Sequence, residues 1–418
     1  METRRILIVE DEVNWQEKIR LSLVSAFSSE NLPQPLIQDA QTYERARIAL
    51  EREGPWDLLI ADLTLAQQPE SHELGKALGH DLIERAHAMR IPTIVVSGTT
   101  TGWDVRTLLL EQGVIDCIEK SLFSMLKKEF VRLVQSVLIH GSITYSNKNI
   151  TPLSLEGLPT NTGKYYALLI GISDYSLTNP LRKAHLDAQS LYKTLLQSCY
   201  YKDNVHLLLD KDATKTAIEK ELIWLSECAK SNDTALIFFA GHGLQVIRGN
   251  ETKEYLCPVE ADLDDLEPTC ISSEEFTSAL RSIKADRLAV FLDACHSGGI
   301  GETRNAINQF RGGFSEDTYN RIFENQGYEG KGRVIFASCK ADEVSWELEE
   351  LPNGLFTHYL LEGLRREAVR LDGAIPILRL GDYLSYKVTI RSSKKPKPQT
   401  PFFKLTGENF ILAVSQQI

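Results

Sequence analysis

Short apolar runs alternate with amphipathic stretches along the first 140 residues of the chain. The amphipathic stretches repeat their apolar positions with a helical period, whereas the short runs have the length and composition of buried strands. Five such pairs in succession predict an α/β fold with a doubly wound, five-stranded parallel sheet. The predicted strands are 5-RILIV-9, 35-PLIQ-38, 57-DLLIA-61, 92-PTIVVS-97 and 114-VIDCI-118.

Residues 141–163 interrupt this pattern, and a second alternation follows them. The interruption is rich in Ser, Thr, Asn, Gly and Pro, which is typical of a linker. We therefore predict a first domain over 1–140, a linker over 141–163 and a second α/β sandwich over 164–418. Residues 299–332 lack periodicity, and we predict an exposed loop there. The strands predicted for the second domain are 166-YALLIGI-172, 205-VHLLL-209, 234-TALIFFA-240, 288-LAVFLDA-294 and 333-RVIFAS-338.

Composition and charge narrow the class of protein. The net charge of −11 gives no general attraction to nucleic acid or to an anionic membrane. The chain has no uncharged apolar stretch of about 18 residues, and its first residues enter a strand pattern without a cleavage site. The seven cysteines are scattered and form no CxxC pair, so neither a zinc site nor a disulfide framework is expected. We predict a cytoplasmic protein with no nucleic-acid or membrane partner.

Acids, a hydroxyl and a lysine follow the predicted strands of the first domain. Glu10 and Asp11 come after the first strand, Asp62 after the third, Ser97 ends the fourth and Lys120 follows the fifth. In a doubly wound sheet these strand ends share the edge at which ligands bind. Clustered carboxylates repel one another and suit a Mg²⁺ ion that also contacts a phosphate. Lys120 and Ser97 could then bind the oxygens of a phosphoryl group on Asp62.

The motifs ILIVEDE, DLLIADLTL, TIVVSG and DCIEKS, in this order, resemble those of response-regulator receiver domains, which have a flavodoxin-like fold. The resemblance implies that Asp62 accepts a phosphoryl group from a sensor histidine kinase. It also implies that Glu10, Asp11 and Asp62 bind Mg²⁺, that Ser97 is the switch hydroxyl and that Lys120 binds the phosphate.

Two positions depart from the receiver pattern. Cys117 stands where an aromatic switch residue is usual, and Ser121 stands where a proline is usual. Both leave the phosphorylation chemistry possible but put the usual way of transmitting it in doubt. A pseudo-receiver that only docks a partner therefore stays open.

A histidine and a cysteine follow two predicted strands of the second domain. The strand 234–240 leads to Gly241-His242-Gly243, and about 50 residues later another strand leads to Asp293-Ala294-Cys295. If these strands are parallel neighbours, His242 and Cys295 share one sheet edge. A thiolate attacks carbonyl carbons, and a histidine can transfer the protons. The N–H groups of Gly243 and Cys295 could stabilise an oxyanion. A cysteine at a strand end is otherwise a common core residue.

The stretches FFAGHG, FLDACHSGG, YALLIGISDY, HLDAQSL and YLCPVEA resemble metacaspases and their bacterial relatives, the caspase-like cysteine peptidases, over about residues 164–418. The resemblance implies His242 and Cys295 as the catalytic dyad, with Gly243 and Cys295 supplying the oxyanion N–H groups. Such peptidases often cleave themselves between a large and a small segment, which we expect within or next to the predicted loop. The candidate basic residues are Arg304, Arg311, Arg321, Lys331 and Arg333.

Charge near the predicted nucleophile indicates the substrate. Caspases that cleave after aspartate have a glutamine two residues before the cysteine, whereas this chain has Asp293. A buried carboxylate there suits a guanidinium or an ammonium group. Metacaspases have a second pocket acid in the first helix, and Asp187 matches that position, although it could also be a surface acid of the helix. We predict cleavage of protein substrates after Arg or Lys.

Calcium is the remaining cofactor question, because many metacaspases require it. The acidic segment 251–275 follows the histidine strand, but Lys253 stands where a ligand acid would be expected. We do not expect a calcium requirement, although 262-DLDD-265 could still bind a cation. The prediction as a whole is a cysteine endopeptidase regulated by phosphorylation of its receiver domain in a two-component pathway. The alternative is a non-catalytic signalling adaptor built from a receiver and a pseudo-peptidase.

Overall fold

The computed structural model divides the chain into two compact units, Met1–Thr151 and Pro152–Ile418. The division falls within the predicted linker, of which residues 141–162 lie outside the described part of the chain. None of the described helices combines the length and the apolar character needed to cross a membrane. The described residues are 3–29, 33–65, 75–98, 114–120, 123–140, 163–176, 180–248, 251–294, 309–311, 314–323, 332–340, 343–369 and 373–415.

The N-terminal unit contains a five-stranded parallel sheet, as the alternating pattern predicts. Its strands are β1 (Arg5–Val9), β2 (Leu36–Ala40), β3 (Leu58–Ala61), β4 (Thr93–Ser97) and β5 (Val114–Glu119), and they lie in the order β2-β1-β3-β4-β5. The amphipathic stretch that the pattern predicts between β4 and β5 lies outside the described residues. The described helices are α1 (Val13–Ser29), α2 (Tyr43–Arg52), α3 (Gly75–Ala88) and α4 (Phe123–His140).

Both faces of this sheet are buried, because successive strand residues point to opposite faces. Ile6 and Ile8 of β1 pack in a cluster with residues of α1 and α4. Leu7 and Val9 pack in a second cluster with residues of α2 and α3. The burial of both faces explains why the strand sequences are continuous apolar runs rather than alternating apolar and polar residues.

The C-terminal unit contains a six-stranded sheet. Its strands are β6 (Tyr165–Gly171), β7 (Val205–Leu209), β8 (Thr234–Ala240), β12 (Arg287–Asp293), β14 (Gly332–Ala337) and β16 (Phe402–Gly407), in the order β16-β14-β12-β8-β6-β7. All pairs are parallel except β14 with β16. The described helices are α5 (Ala184–Leu195), α6 (Lys215–Cys228), α7 (Leu266–Thr269), α8 (Ser273–Ser282), α9 (Glu316–Ile322), α10 (Leu355–Glu362) and α11 (Ile377–Ser392), with a π-helical turn over Gly363–Glu367 and 3₁₀ turns over Lys202–Asn204 and Asp210–Asp212.

Two smaller antiparallel sheets complete this unit. One contains β9 (Gly243–Arg248), β10 (Glu251–Leu256), β11 (Ile271–Ser272) and β13 (Gln309–Arg311), in the order β11-β10-β9-β13. The other pairs β15 (Ala374–Pro376) with β17 (Ile411–Val414).

The prediction of an exposed loop over 299–332 is wrong in part, because β13 and α9 lie within it and Tyr319 and Ile322 of α9 are buried. A three-residue strand that is held by pairing with β9 is too short to leave a periodic signal. Arg333, one of the candidate self-cleavage positions, is buried in β14, and its guanidinium donates to the Ile283 carbonyl at 3.1 Å. Arg304 and Lys331 lie outside the described residues.

Candidate functional site

The strand ends of the N-terminal unit bring three predicted site residues together. Lys120 Nζ lies 2.8 Å from Glu10 Oε1 and 2.8 Å from Asp62 Oδ2, and all three side chains are buried. Ser97 is also buried and is aligned with Glu119 on the neighbouring strand. A side chain at Gly98 would come 3.4 Å from the Lys120 stem, which brings the end of β4 close to the same lysine.

The carboxylates of Glu10, Asp11 and Asp62 could hold a cation, since they offer oxygens within 4.8 Å of one another. Burial raises the pKa of Glu10 to about 7, while its hydrogen bond with Lys120 opposes that rise and the Asp62 charge adds to it. Glu10 Oε2 is buried without a hydrogen-bond partner among the described residues. A set of hard oxygen donors with one unsatisfied oxygen fits Mg²⁺.

The structure describes one of the two positions that depart from the receiver pattern. Cys117 is buried in β5 and packs with Leu63, Ile83 and Val95 in a small apolar cluster. Ser121 lies outside the described residues. At position 117 the chain therefore has a short core side chain where the pattern would have an aromatic ring.

The predicted neighbours β8 and β12 of the second unit are confirmed as adjacent parallel strands. Ala240 at the end of β8 is aligned with Asp293 at the end of β12, and the Gly241 N–H donates to the Asp293 carbonyl at 3.2 Å. His242 directly follows Gly241 and is buried, and Gly243 is the first residue of β9. Cys295 lies outside the described residues, so its contact with His242 stays a prediction.

Tyr175 holds the backbone of His242 in place. The His242 N–H donates to Tyr175 Oη at 2.6 Å, and the Tyr175 hydroxyl donates to the Cys257 carbonyl at 3.1 Å. The centroids of the Tyr175 and His242 rings are 4.5 Å apart. A Cβ at position 241 would come within 2.6 Å of Tyr175 Oη, so only glycine fits this approach. The sequence offered no signal for this contact, although Tyr175 ends the motif YALLIGISDY.

Asp187 and Asp293 line one pocket at the same sheet edge. Asp187, in the first turn of α5, accepts hydrogen bonds from Asn353 Nδ2 at 2.8 Å and from the Gly354 N–H at 3.0 Å. A Cβ at Gly354 would lie 2.9 Å from Asp187 Oδ2 and 3.5 Å from Asp293 Oδ2, so both carboxylates border the same space. The surface-acid alternative for Asp187 does not hold, because this side chain is buried.

Burial and mutual repulsion act on this pair. Burial raises the pKa of Asp187 well above its usual range, and the charge of Asp293 adds to the rise. Burial also raises the pKa of Asp293, while hydroxyl donors oppose the rise. Two of these donors are Ser345 Oγ at 2.7 Å and Thr357 Oγ1 at 3.1 Å.

The same pocket contains residues that the sequence reasoning missed. Trp346 and Glu347 line it beside Asp187 and Asp293. The Glu347 carboxylate accepts hydrogen bonds from the backbone N–H groups of Lys183, at 2.9 Å, and Arg182, at 3.2 Å, just before α5. These residues belong to the run SWE at 345–347. The sequence around that run gives no indication that it lies next to α5, a helix that begins about 160 residues earlier.

The comparisons with known proteins agree with this geometry. The sequence profile of the caspase domain matches residues 164–410, which is more than half of the chain. The chain belongs to the caspase domain family. Metacaspase-3 of Arabidopsis thaliana is 28% identical over 205 residues, which cover 46% of this chain and 56% of that protein. The chain spans about half the length, or less, of the relatives it matches.

Solved structures resemble each unit of this caspase-family chain. The structure of pro-Sf-caspase-1 is 14% identical and covers 60% of this chain and 90% of its own, with a TM-score of 0.39. The response regulator domain of Thermotoga maritima CheB is 16% identical and covers 34% of this chain and all of its own, with a TM-score of 0.26. The receiver fold of the first unit rests on its strand order, β2-β1-β3-β4-β5, which is the flavodoxin-like order.

The segment considered for calcium has a different arrangement. Within the described part of the chain, the group of three or more potential metal ligands is Glu10, Asp11 and Asp62, in the receiver fold. Lys253 Nζ pairs instead with Glu267 Oε1 at 2.6 Å on the surface of the caspase domain.

Proposed function

We propose that the protein is a cysteine endopeptidase that cleaves after Arg or Lys and is controlled by phosphorylation of Asp62. The observation that carries the peptidase proposal is the shared pocket of Asp187 and Asp293 beside Gly241 and the histidine strand. A basic substrate side chain bound in that pocket would bring the scissile carbonyl of the substrate toward the sheet edge at which His242 follows β8.

The chemistry assigns one role to each predicted residue. Cys295 Sγ attacks the carbonyl carbon, and the N–H groups of Gly243 and Cys295 stabilise the oxyanion. His242 gives a proton to the leaving amine, whose C–N bond breaks to leave a thioester. Water then attacks the thioester, His242 takes up its proton, and the acid product leaves as the thiolate forms again. Register supports this assignment, since Cys295 follows Asp293 by two residues as His242 follows Ala240 by two.

Electrostatics supports the basic specificity. The buried carboxylate of Asp187 and the half-buried carboxylate of Asp293 repel each other when both are ionised, and the donors described for them are neutral hydroxyl and amide groups. A guanidinium pairs with both and relieves that repulsion, whereas an acidic substrate side chain would add to it. Arginine is preferred to lysine, because its planar fork binds two oxygens at once.

The test uses one fluorogenic peptide in two forms that end in Arg or in Asp before the reporter. We expect turnover of the Arg form alone and no turnover by Cys295→Ala or His242→Ala variants. Activity that survives Cys295→Ala would overturn the mechanism, and equal turnover of both peptides would overturn the specificity. Failure of an electrophilic Arg peptide to label Cys295 would favour the adaptor alternative.

The receiver fold supports control by a sensor histidine kinase. Asp62 would attack the phosphorus of a phosphohistidine, forming an O–P bond as the N–P bond breaks. Lys120, already 2.8 Å from Asp62, would bind the transferred group, and the Ser97 hydroxyl at the end of β4 would donate a hydrogen bond to it. Mg²⁺ held by Glu10, Asp11 and Asp62 would neutralise charge on the phosphoryl oxygens.

The test of this control compares peptide turnover before and after treatment with acetyl phosphate and Mg²⁺. We expect the turnover rate to change in the wild type and to stay constant in Asp62→Asn. Phosphate incorporation measured in the same samples shows whether Asp62 has reacted. An incorporated phosphate with no change in rate contradicts the regulatory proposal.

A further inference from the structure

Two cysteines that the proposed peptidase chemistry does not use face each other across the small sheet. Cys257 directly follows β10 and Cys270 directly precedes β11. These strands are antiparallel with Leu256 opposite Ile271, so the next pair in that register is Cys257 opposite Cys270. The Cys270 backbone is still extended, with φ −115° and ψ 160°. Both side chains are fully buried in the same apolar cluster.

The backbone hydrogen bonds indicate that Cys257 and Cys270 are a non-hydrogen-bonded pair of the antiparallel ladder. The Cys257 N–H donates to the His242 carbonyl at 3.0 Å and the Cys257 carbonyl accepts from Tyr175, so both groups point away from Cys270. The Cys270 N–H donates to the Leu266 carbonyl at 2.7 Å. Opposite residues that do not bond each other in an antiparallel pair have Cα atoms about 4.5 Å apart and side chains on one face. Disulfides span Cα separations of about 4.4–6.8 Å.

The two thiols are also unequal. A hydrogen bond with Cys257 lowers the pKa of Cys270, and the nearby Lys215 ammonium, which donates to the Cys270 carbonyl at 2.7 Å, lowers it further. The hydrogen bond with Cys270, together with burial, raises the pKa of Cys257. Cys270 is therefore the thiol that ionises first. The single-turn helix α7, which directly precedes Cys270, has Glu267 and Pro268 exposed.

We propose that Cys257 and Cys270 form a reversible disulfide on exposure to a peroxide, and that this bond controls the position of His242. The Cys270 thiolate attacks one peroxide oxygen, the O–O bond breaks, and the leaving hydroxide becomes water while Cys270 becomes a sulfenic acid. The Cys257 sulfur then attacks the Cys270 sulfur, the S–O bond breaks, and the Cys257 proton leaves with hydroxide as a second water. The two sulfurs give two electrons to the peroxide, and a thiol reductant returns them.

The coupling to His242 rests on the proposed peptidase function. Cys257 is bonded to His242 through the backbone and again through the Tyr175 hydroxyl. A movement of Cys257 toward Cys270 would therefore distort the hydrogen bonds that hold His242 in place. Because a misplacement of about 1 Å in a catalytic site costs about 100-fold in rate, a shift of a few tenths of an ångström should lower kcat by about tenfold.

The first experiment measures the bond itself in the full chain carrying Cys295→Ala, which removes the proposed nucleophile. The protein is treated with hydrogen peroxide, alkylated, digested and analysed by mass spectrometry with and without reductant. We expect a reducible peptide pair that joins Cys257 to Cys270. The pair should vanish in an added Cys257→Ala variant and persist in an added Cys228→Ala variant, the matched control.

This arm needs no peptidase activity, so its failure is distinct from failure of the proposed function. Recovery of Cys257 and Cys270 as separate alkylated thiols, while the partly exposed Cys228 is oxidised, would overturn the proposal.

The second experiment measures kcat with the chain that retains Cys295. Peroxide is expected to lower kcat in the wild type by about tenfold more than in the Cys257→Ala/Cys270→Ala double variant, and reductant should remove the difference. The double variant accounts for oxidation of Cys295 itself. A disulfide that forms without any difference in kcat between the two proteins would show that the coupling to His242 is wrong.

Discussion

Both units gather carboxylates at the carboxyl ends of parallel strands, but they balance the charge differently. In the receiver fold, Lys120 lies between Glu10 and Asp62 at 2.8 Å from each. Although burial alone lowers the pKa of Lys120, these two carboxylates raise it above its usual value. In the caspase domain, Asp187 and Asp293 receive hydrogen bonds from neutral donors.

This difference supports the different ligands that we propose for the two edges. Carboxylates that have an internal lysine are compensated before any ligand arrives, and a phosphoryl group competes with them for that lysine. The pocket carboxylates, whose donors among the described residues are neutral, keep their repulsion until a cation enters. The first edge is therefore suited to an anion and a metal ion, and the second to a basic side chain.

Removing one acid of the pocket should have the largest effect. We expect Asp293→Asn to lower kcat/KM for the Arg peptide by about 100-fold or more, because losing a buried charge partner costs about 2–5 kcal/mol. Steady-state kinetics measures this loss. Alkylation of Cys295 by iodoacetamide should continue at the wild-type rate, since the proposed nucleophile is untouched.

The exposed acid Asp264 provides the control, and Asp264→Asn should keep the wild-type kcat/KM. Normal Arg cleavage by Asp293→Asn would mean that the uncompensated pair is not the substrate pocket. The comparison between the two edges would then lose its functional meaning.

Removing the internal cation tests the other edge. Lys120→Met leaves Glu10 and Asp62 buried without their partner, which should destabilise the N-terminal unit by about 3 kcal/mol. Hydrogen exchange of the β1 and β3 amides measures this loss, and added Mg²⁺ should recover part of it. Lys127→Met, on an exposed side chain, is the control. Unchanged protection of β1 in Lys120→Met would mean that the lysine does not compensate the acids.

A smaller effect should follow from the neutral network around His242. Tyr175→Phe removes the hydroxyl that accepts the His242 N–H and leaves that N–H unsatisfied, at a cost of about 1–3 kcal/mol. We expect kcat to fall by about 10-fold with KM little changed, because the substrate pocket keeps its acids. Tyr201→Phe, at a side chain that is 77% exposed, should leave both constants unchanged. A rise in KM alone would assign Tyr175 to substrate binding.

The parts of both edges that follow from strand ends could be predicted from the sequence. Apolar runs identify buried strands, and the residues after parallel strands share one edge, which is why Glu10, Asp62 and Lys120 were correctly expected to meet. The condition under which His242 and Cys295 would share one edge, that β8 and β12 are parallel neighbours, is also met. Each of these inferences uses a pattern of fewer than ten residues together with one rule of topology.

The residues that hold the pocket could not be predicted in this way. Ser345 reaches Asp293 across 52 positions, and Asn353 reaches Asp187 across 166. These partners lie on loops, which have no period, and their contacts exist only after the sheet has formed. The strands β9 and β10 were missed for a related reason. Gln245 and Glu254 are buried polar residues within these strands, whereas sequence periodicity identifies strands by their apolar residues.

The smallest effect should be a pH dependence of stability that arises from the acid pair of the caspase domain. The pKa of Asp187 is raised in the folded protein, so the folded state holds a proton that the unfolded state has lost. The stability associated with this acid is therefore present below the ordinary aspartate pKa of about 4 and is lost as the pH rises through the raised value. Asp187→Asn removes this dependence, so its melting temperature should exceed that of the wild type increasingly as the pH rises from about 5 to about 8. Thermal melts of both proteins over this range measure the difference, and a gap that is constant with pH would mean that Asp187 holds no additional proton in the folded protein.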